Sequence, residues 1–201
     1  MAGPERRAAI LAVARGLFAR QGYHGTSTGD IARAADCSEA VLYRHFASKQ
    51  ALFSAVMVES STGMRRHLVA ALGSSPDDPV AGLTLALARM SDDPDVPDHL
   101  RLRSVAVTMV DEPEIRGTLE GLHESFMQLL TDAARTSQEL GRLRADVSPE
   151  QVAQLFSCLG FKAAFTCALG GPTELRRLTP AAETLLAILR PTSTPIAREG
   201  E

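Results

Sequence analysis

Residues 25–49, GTSTGDIARAADCSEAVLYRHFASK, restrict this chain more than any other stretch. Thr28 reads as an N-cap, after which residues 29–35 form a short helix with Ile31, Ala32 and Ala35 facing inward. Ala-Asp-Cys-Ser then makes a tight turn in which Asp36 tolerates a left-handed backbone. Ser38 caps a second helix over 39–46, whose Leu42 and Phe46 lie at i and i+4 on one face. Two short helices joined by such a turn, the second offering small residues and then Tyr-Arg-His, form a helix-turn-helix with a recognition helix. The pattern points to DNA contact.

Around it the chain reads as all-α. A first helix over 5–21 repeats Ile10, Ala14, Leu17 and Phe18 at helical spacing, and Gly22 suits its left-handed end. Residues 1–4 are expected to be disordered. A long helix starts near Ser48 and runs to about Leu72, with Gly63 as an interior weak point. Further helices follow over 77–90, 99–109 and 114–140, separated by proline-bearing acidic turns. Ser148-Pro149-Glu150 opens another, which Gly170-Gly171-Pro172 stops; a last one over 173–189, restarted at Pro180, precedes a polar tail. The division is a head over 1–49 and a body over 50–201.

Charge is distributed to match. The chain carries a net −3, yet residues 1–50 hold seven Arg or Lys against four Asp or Glu, and the remainder fourteen against twenty. A basic head on an acidic body suits phosphate contact at one end. No signal-peptide pattern or membrane-length apolar run is present, which implies a cytoplasmic protein. Cys37, Cys158 and Cys167 have no metal-ligand spacing, and the last two read as small buried hydrophobes. No nucleophile–base motif or nucleotide-binding glycine loop appears, so neither catalysis, a cofactor nor a metal is expected.

The residues Ile10-Leu11, Leu17-Phe18, Gly22-Tyr23, Thr26-Ser27, Asp30-Ile31-Ala32, Ala35, Ser38, Leu42-Tyr43-Arg44-His45-Phe46 and Ser48-Lys49 resemble the TetR family of bacterial transcriptional repressors. The likeness covers about a quarter of the chain; the rest matches only in helix number and length. Asp36-Cys37 stands where Gly-Val is frequent, and Gly29 offers no side chain at its helix start. The resemblance implies an N-terminal DNA-binding domain and a helical ligand-binding and dimerisation domain. Glu39, Ala40 and Val41 are then the residues to meet base edges. Tyr43, His45 and Lys49 become phosphate contacts, with Thr26, Ser27, Thr28 and the Ser38 cap beside them. Arg44 suits either role, and the lesser alternative for Tyr43 is to pack its ring against the body helix.

The same family logic implies a homodimer on a palindromic operator, closed by Leu155, Phe156 and Leu159 with Leu185, Ile188 and Leu189. A pocket for a small effector falls to Met57, Met64, Leu87, Met90, Leu102, Val105, Met109, Phe126 and Met127. His67, His99 and His123 are its candidate polar anchors, although each also reads as a surface residue. An uncharged or mixed-polarity effector is expected to release the repressor from DNA. Control by a partner protein or by Cys37 oxidation, without a small ligand, is the second reading. Activation rather than repression depends on where the operator lies.

Overall fold

The structure is a computed structural model that describes residues 3–170 and 173–191. Among these are ten helices and no strand. The head comprises α1 (Gly3–Gln21), α2 (Thr28–Ala34) and α3 (Glu39–His45). The body comprises α4 (Lys49–Gly73), α5 (Pro79–Met90), α6 (Val96–Val107), α7 (Pro113–Glu139), α8 (Pro149–Gly170), α9 (Thr173–Arg176) and α10 (Thr179–Leu189).

The head does not close on itself. Ile10, Phe18, Ile31 and Leu42 share one buried cluster with Leu52, Phe53 and Val56 of α4, and with Leu102 and Ala106 of α6. Phe18 meets Phe53 edge-on, ring centroids 5.0 Å apart. Truncating either fully buried ring to alanine removes about 3–5 kcal/mol of stability. Helix α4, 25 residues and so about 37 Å long, therefore begins in the head core and ends among α5 and α7. Two further clusters fill the body. One joins Val80, Leu130, Val152 and Phe156; the other joins Leu87, Leu100, Ala163 and Leu178.

Local chemistry sets the helix boundaries. Gly22 ends α1 in the left-handed region, at φ +73°. Ser48 caps α4 by accepting from the Ala51 amide. Pro79, Pro97, Pro113 and Pro180 occupy first turns, where a missing N–H is no loss. For this reason α5 starts at Pro79 rather than residue 77, and α6 starts at Val96 rather than 99.

Some expectations are corrected. Helix α1 already begins at Gly3, inside the segment expected to be disordered; residues 1–2 and the polar tail beyond 191 lie outside the described residues. Cys167 is buried as expected, but Cys158 is exposed because it faces outward from α8. Among the described residues no helix is long and apolar enough to cross a membrane.

Candidate nucleic-acid interface and body cavity

Ser27, not Thr28, caps α2. Its hydroxyl accepts from the Asp30 amide at 3.0 Å and donates to the Asp30 carboxylate at 2.6 Å. That hydrogen bond and nearby Arg33 hold the Asp30 carboxyl below its ordinary pKa. Thr28 is the first helical residue instead. Ser38 caps α3 by accepting from the Val41 amide. Between the helices Asp36 takes φ +50°, which an aspartate tolerates better than most side chains. Arg6 of α1 donates to the Ala35 and Asp36 carbonyls, each at 3.1 Å, and pins this turn to the first helix.

Glu39, Ala40, Tyr43 and Arg44 are exposed along α3, with Val41 and His45 half-buried beside them. Glu39 does not extend freely. Thr28 donates to its carboxylate at 3.1 Å and lies 3.3 Å from the Tyr43 hydroxyl, so α2 and α3 are joined at their outer surface. Gly29 is what admits this arrangement, because a Cβ there would stand 2.7 Å from the Glu39 carboxylate. Thr26 departs from its expected phosphate role: it is 0% exposed and its hydroxyl donates back to the Gly22 carbonyl at 2.8 Å. Lys49 lies over the Tyr23 ring at 4.2 Å, where burial lowers its pKa. It fastens α4 to the head. Arg6, Arg44 and His45 border one shallow depression with Cys37. Sequence reasoning omitted Arg6, whose signal was its place in the opening turns of α1.

The body encloses a cavity of about 490 Å³ walled by α4, α5, α6, α7 and α8. Met57, Met64, Leu87, Met90 and Phe126 line it. The other expected wall residues lie elsewhere, and helical periodicity explains why. On α6 the positions 99, 100, 103, 104 and 107 turn toward the cavity, which leaves Leu102, Val105 and Met109 in the core shared with the head. Met127 packs on the Leu130 cluster, and His67 pairs with Asp93 at 2.7 Å away from the cavity. His99, which had also read as a surface residue, is buried and hydrogen-bonded to Ser60, with both facing the cavity. Gly63 makes room for it, since a Cβ would lie 3.3 Å from the imidazole. Arg103, absent from the sequence reading, also lines the cavity and lies 5.7 Å from the ring centres of both Phe126 and Phe161. His123 lies exposed on its wall.

On α8 and α10, Leu155 is 42%, Leu169 75% and Ile188 62% exposed. Phe156 and Leu189 point the other way into the Val80 cluster, against which Leu159 and Leu185 also pack. Of the six residues expected at a subunit contact, only Leu155 and Ile188 are exposed.

A helix-turn-helix head continuous with a cavity-bearing helical body defines a class of two-part, all-α proteins. The sequence model of bacterial regulatory proteins, tetR family, matches residues 10–56. The HTH-type transcriptional regulator AcrR of Shigella flexneri is 37% identical over 79 residues, covering 39% of this chain and 37% of its own length. The HTH-type transcriptional activator FasR of Mycolicibacterium smegmatis is 35% identical over 107 residues, covering 53% of this chain and 40% of its own. The chain thus spans well under half the length of these two relatives. A TetR-family regulator structure from Rhodococcus sp. superposes with a TM-score of 0.77 at 22% identity, over 91% of this chain and 99% of that one. Residues 10–56 are thus similar to the DNA-binding segment of the TetR family, and the chain shares the fold of that regulator structure.

Proposed function

We propose that this chain is a ligand-responsive transcriptional repressor that binds a palindromic operator as a homodimer and leaves it when an effector fills the body cavity. Residues 1–49 are the DNA-binding unit and 50–201 the effector and dimer unit. The observation that carries this reading is the shared use of α4 and α6. Both contribute to the head core, and both wall the cavity. A ligand that favours one setting of these helices favours one setting of the head, which is the requirement for a population shift. Glu39, Ala40 and Val41 meet bases, while Ser27, Thr28, Ser38, Tyr43, Arg44 and His45 approach phosphates. Lys49 supports the head from its seat on Tyr23. Two heads about 34–36 Å apart read successive turns of the duplex.

The test is a titration of the protein against duplexes from upstream of its own and neighbouring genes, at two salt concentrations, with footprinting. Tight protection of one palindrome, weakening with salt, supports the reading. Equally weak binding to every duplex overturns it.

A further inference from the structure

Resting on the cavity's reading as the effector site, we propose that this effector is an anionic amphiphile whose carboxylate is bound by Arg103. Three observations lead there. First, the charged groups of the cavity wall are cationic: Arg65 and Arg103 face it and, among the described residues, no Asp or Glu does, although the whole chain holds 24 acidic residues against 21 Lys and Arg. Second, Arg103 has no carboxylate within ion-pair distance among the described residues, whereas Arg15, Arg101, Arg135, Arg144, Arg176 and Arg190 each have one. Arg65 differs too, since its guanidinium is taken up by the Ser125 carbonyl and hydroxyl.

Third, Arg103 stands among apolar groups. The rings of Phe126 and Phe161 flank it, and burial lowers its pKa with no neighbouring charge contributing. A guanidinium does not shed its proton to escape such a site. Ring faces recover only part of the hydration that burial removes. A neutral occupant that expelled the remaining water would leave the charge uncompensated, and a cationic one would add repulsion. A carboxylate matches the guanidinium fork with two charge-assisted hydrogen bonds. The ligand's apolar part then rests on Met64, Leu87 and Met90. Of the expected uncharged or mixed-polarity effector, the anionic amphiphile keeps the mixed-polarity alternative and gives its polar end a negative charge.

The experiment titrates the purified full chain by calorimetry with three probes of equal chain length: decanoate, decanol and decyltrimethylammonium. Decanoate is expected to bind about tenfold or more tightly than decanol, the order expected from a charge-assisted contact. Arg103→Gln should abolish that preference and Arg103→Lys retain part of it, with thermal melts confirming that each variant folds. Equal affinity for decanoate and decanol, tighter binding of the ammonium, or a preference that survives Arg103→Gln overturns the proposal. So does binding of none of the probes. If decanoate binds through Arg103 but leaves the operator complex intact, the anion assignment stands and the induction reading fails. If decanol binds as well as decanoate and releases DNA, the reverse holds.

Discussion

Arg15 of α1 donates to the Asp95 carboxylate at the N-cap of α6 across 2.8 Å, a bond between residues 80 apart in the chain. It ties the head to the helix that carries His99 and Arg103 to the cavity. Asp95 is half-exposed, so the pair is worth about 0.5–1 kcal/mol. Asp95→Asn should lower unfolding free energy in urea by that amount. It should also shrink the ratio of operator affinities with and without decanoate by about two- to fivefold. An unchanged ratio would show that the coupling passes through the apolar contact of α1 with α6 instead.

His99 makes stability depend on pH. Burial, then the positive charge of Arg15, lowers its pKa, against the opposing pull of Asp95, Asp93 and Glu59. The unfolded chain therefore takes up this proton more readily than the folded one. The contribution is intact above the ordinary histidine pKa of about 6.5 and is lost as pH falls toward the folded value. Unfolding free energy should rise with pH across this window, by at most about 1.4 kcal/mol per pH unit from this one group. Urea titrations of His99→Gln at several pH values should show a flatter profile than the parent. Identical profiles would assign the dependence to other groups.

Gly29 controls where Glu39 sits. A methyl group at position 29 would meet the Glu39 carboxylate and push it away from Thr28. The alanine gains up to about 1 kcal/mol of helix propensity, while the displaced hydrogen bond costs about 0.5–1.5 kcal/mol. The melting temperature of Gly29→Ala should therefore hardly move. Operator affinity should fall about five- to tenfold, within the worth of one base contact, because the recognition surface is altered. Unchanged affinity in a fluorescence titration would exclude Glu39's seat on Thr28 from operator reading.

The helices were legible because their periodicity and caps are local properties. Even so, Ser27 and Thr28 are both able to cap, and only backbone geometry distinguishes them. The cavity was half legible. Helix α6 is apolar on two faces because it lies between head and cavity, so its sequence does not tell which face belongs to which; Leu102, Val105 and Met109 went to the head. Arg15 and Arg103 were hidden for a related reason. A lone arginine on a helix reads as solvent-facing until elements distant in sequence are brought against it. Phe126 and Phe161 are 23 and 58 residues beyond Arg103.

If the proposed homodimer forms through the outward face of α8 and α10, that face decides whether two heads act together. Ile188 of α10 is largely exposed, and so are Leu155 and Leu169 of α8. Replacing an exposed residue changes the stability of a single subunit by about 0.5 kcal/mol or less. At a two-fold contact the same change is made twice, so Ile188→Asp would place two desolvated carboxylates in one interface. Sedimentation velocity should then show a folded monomer. Operator affinity should fall about a hundredfold or more, because the second head no longer binds at the effective concentration set by the first. A variant that stays dimeric with full operator affinity would place the subunit contact on another surface. One that stays dimeric but loses DNA binding would show that this face affects head spacing rather than assembly.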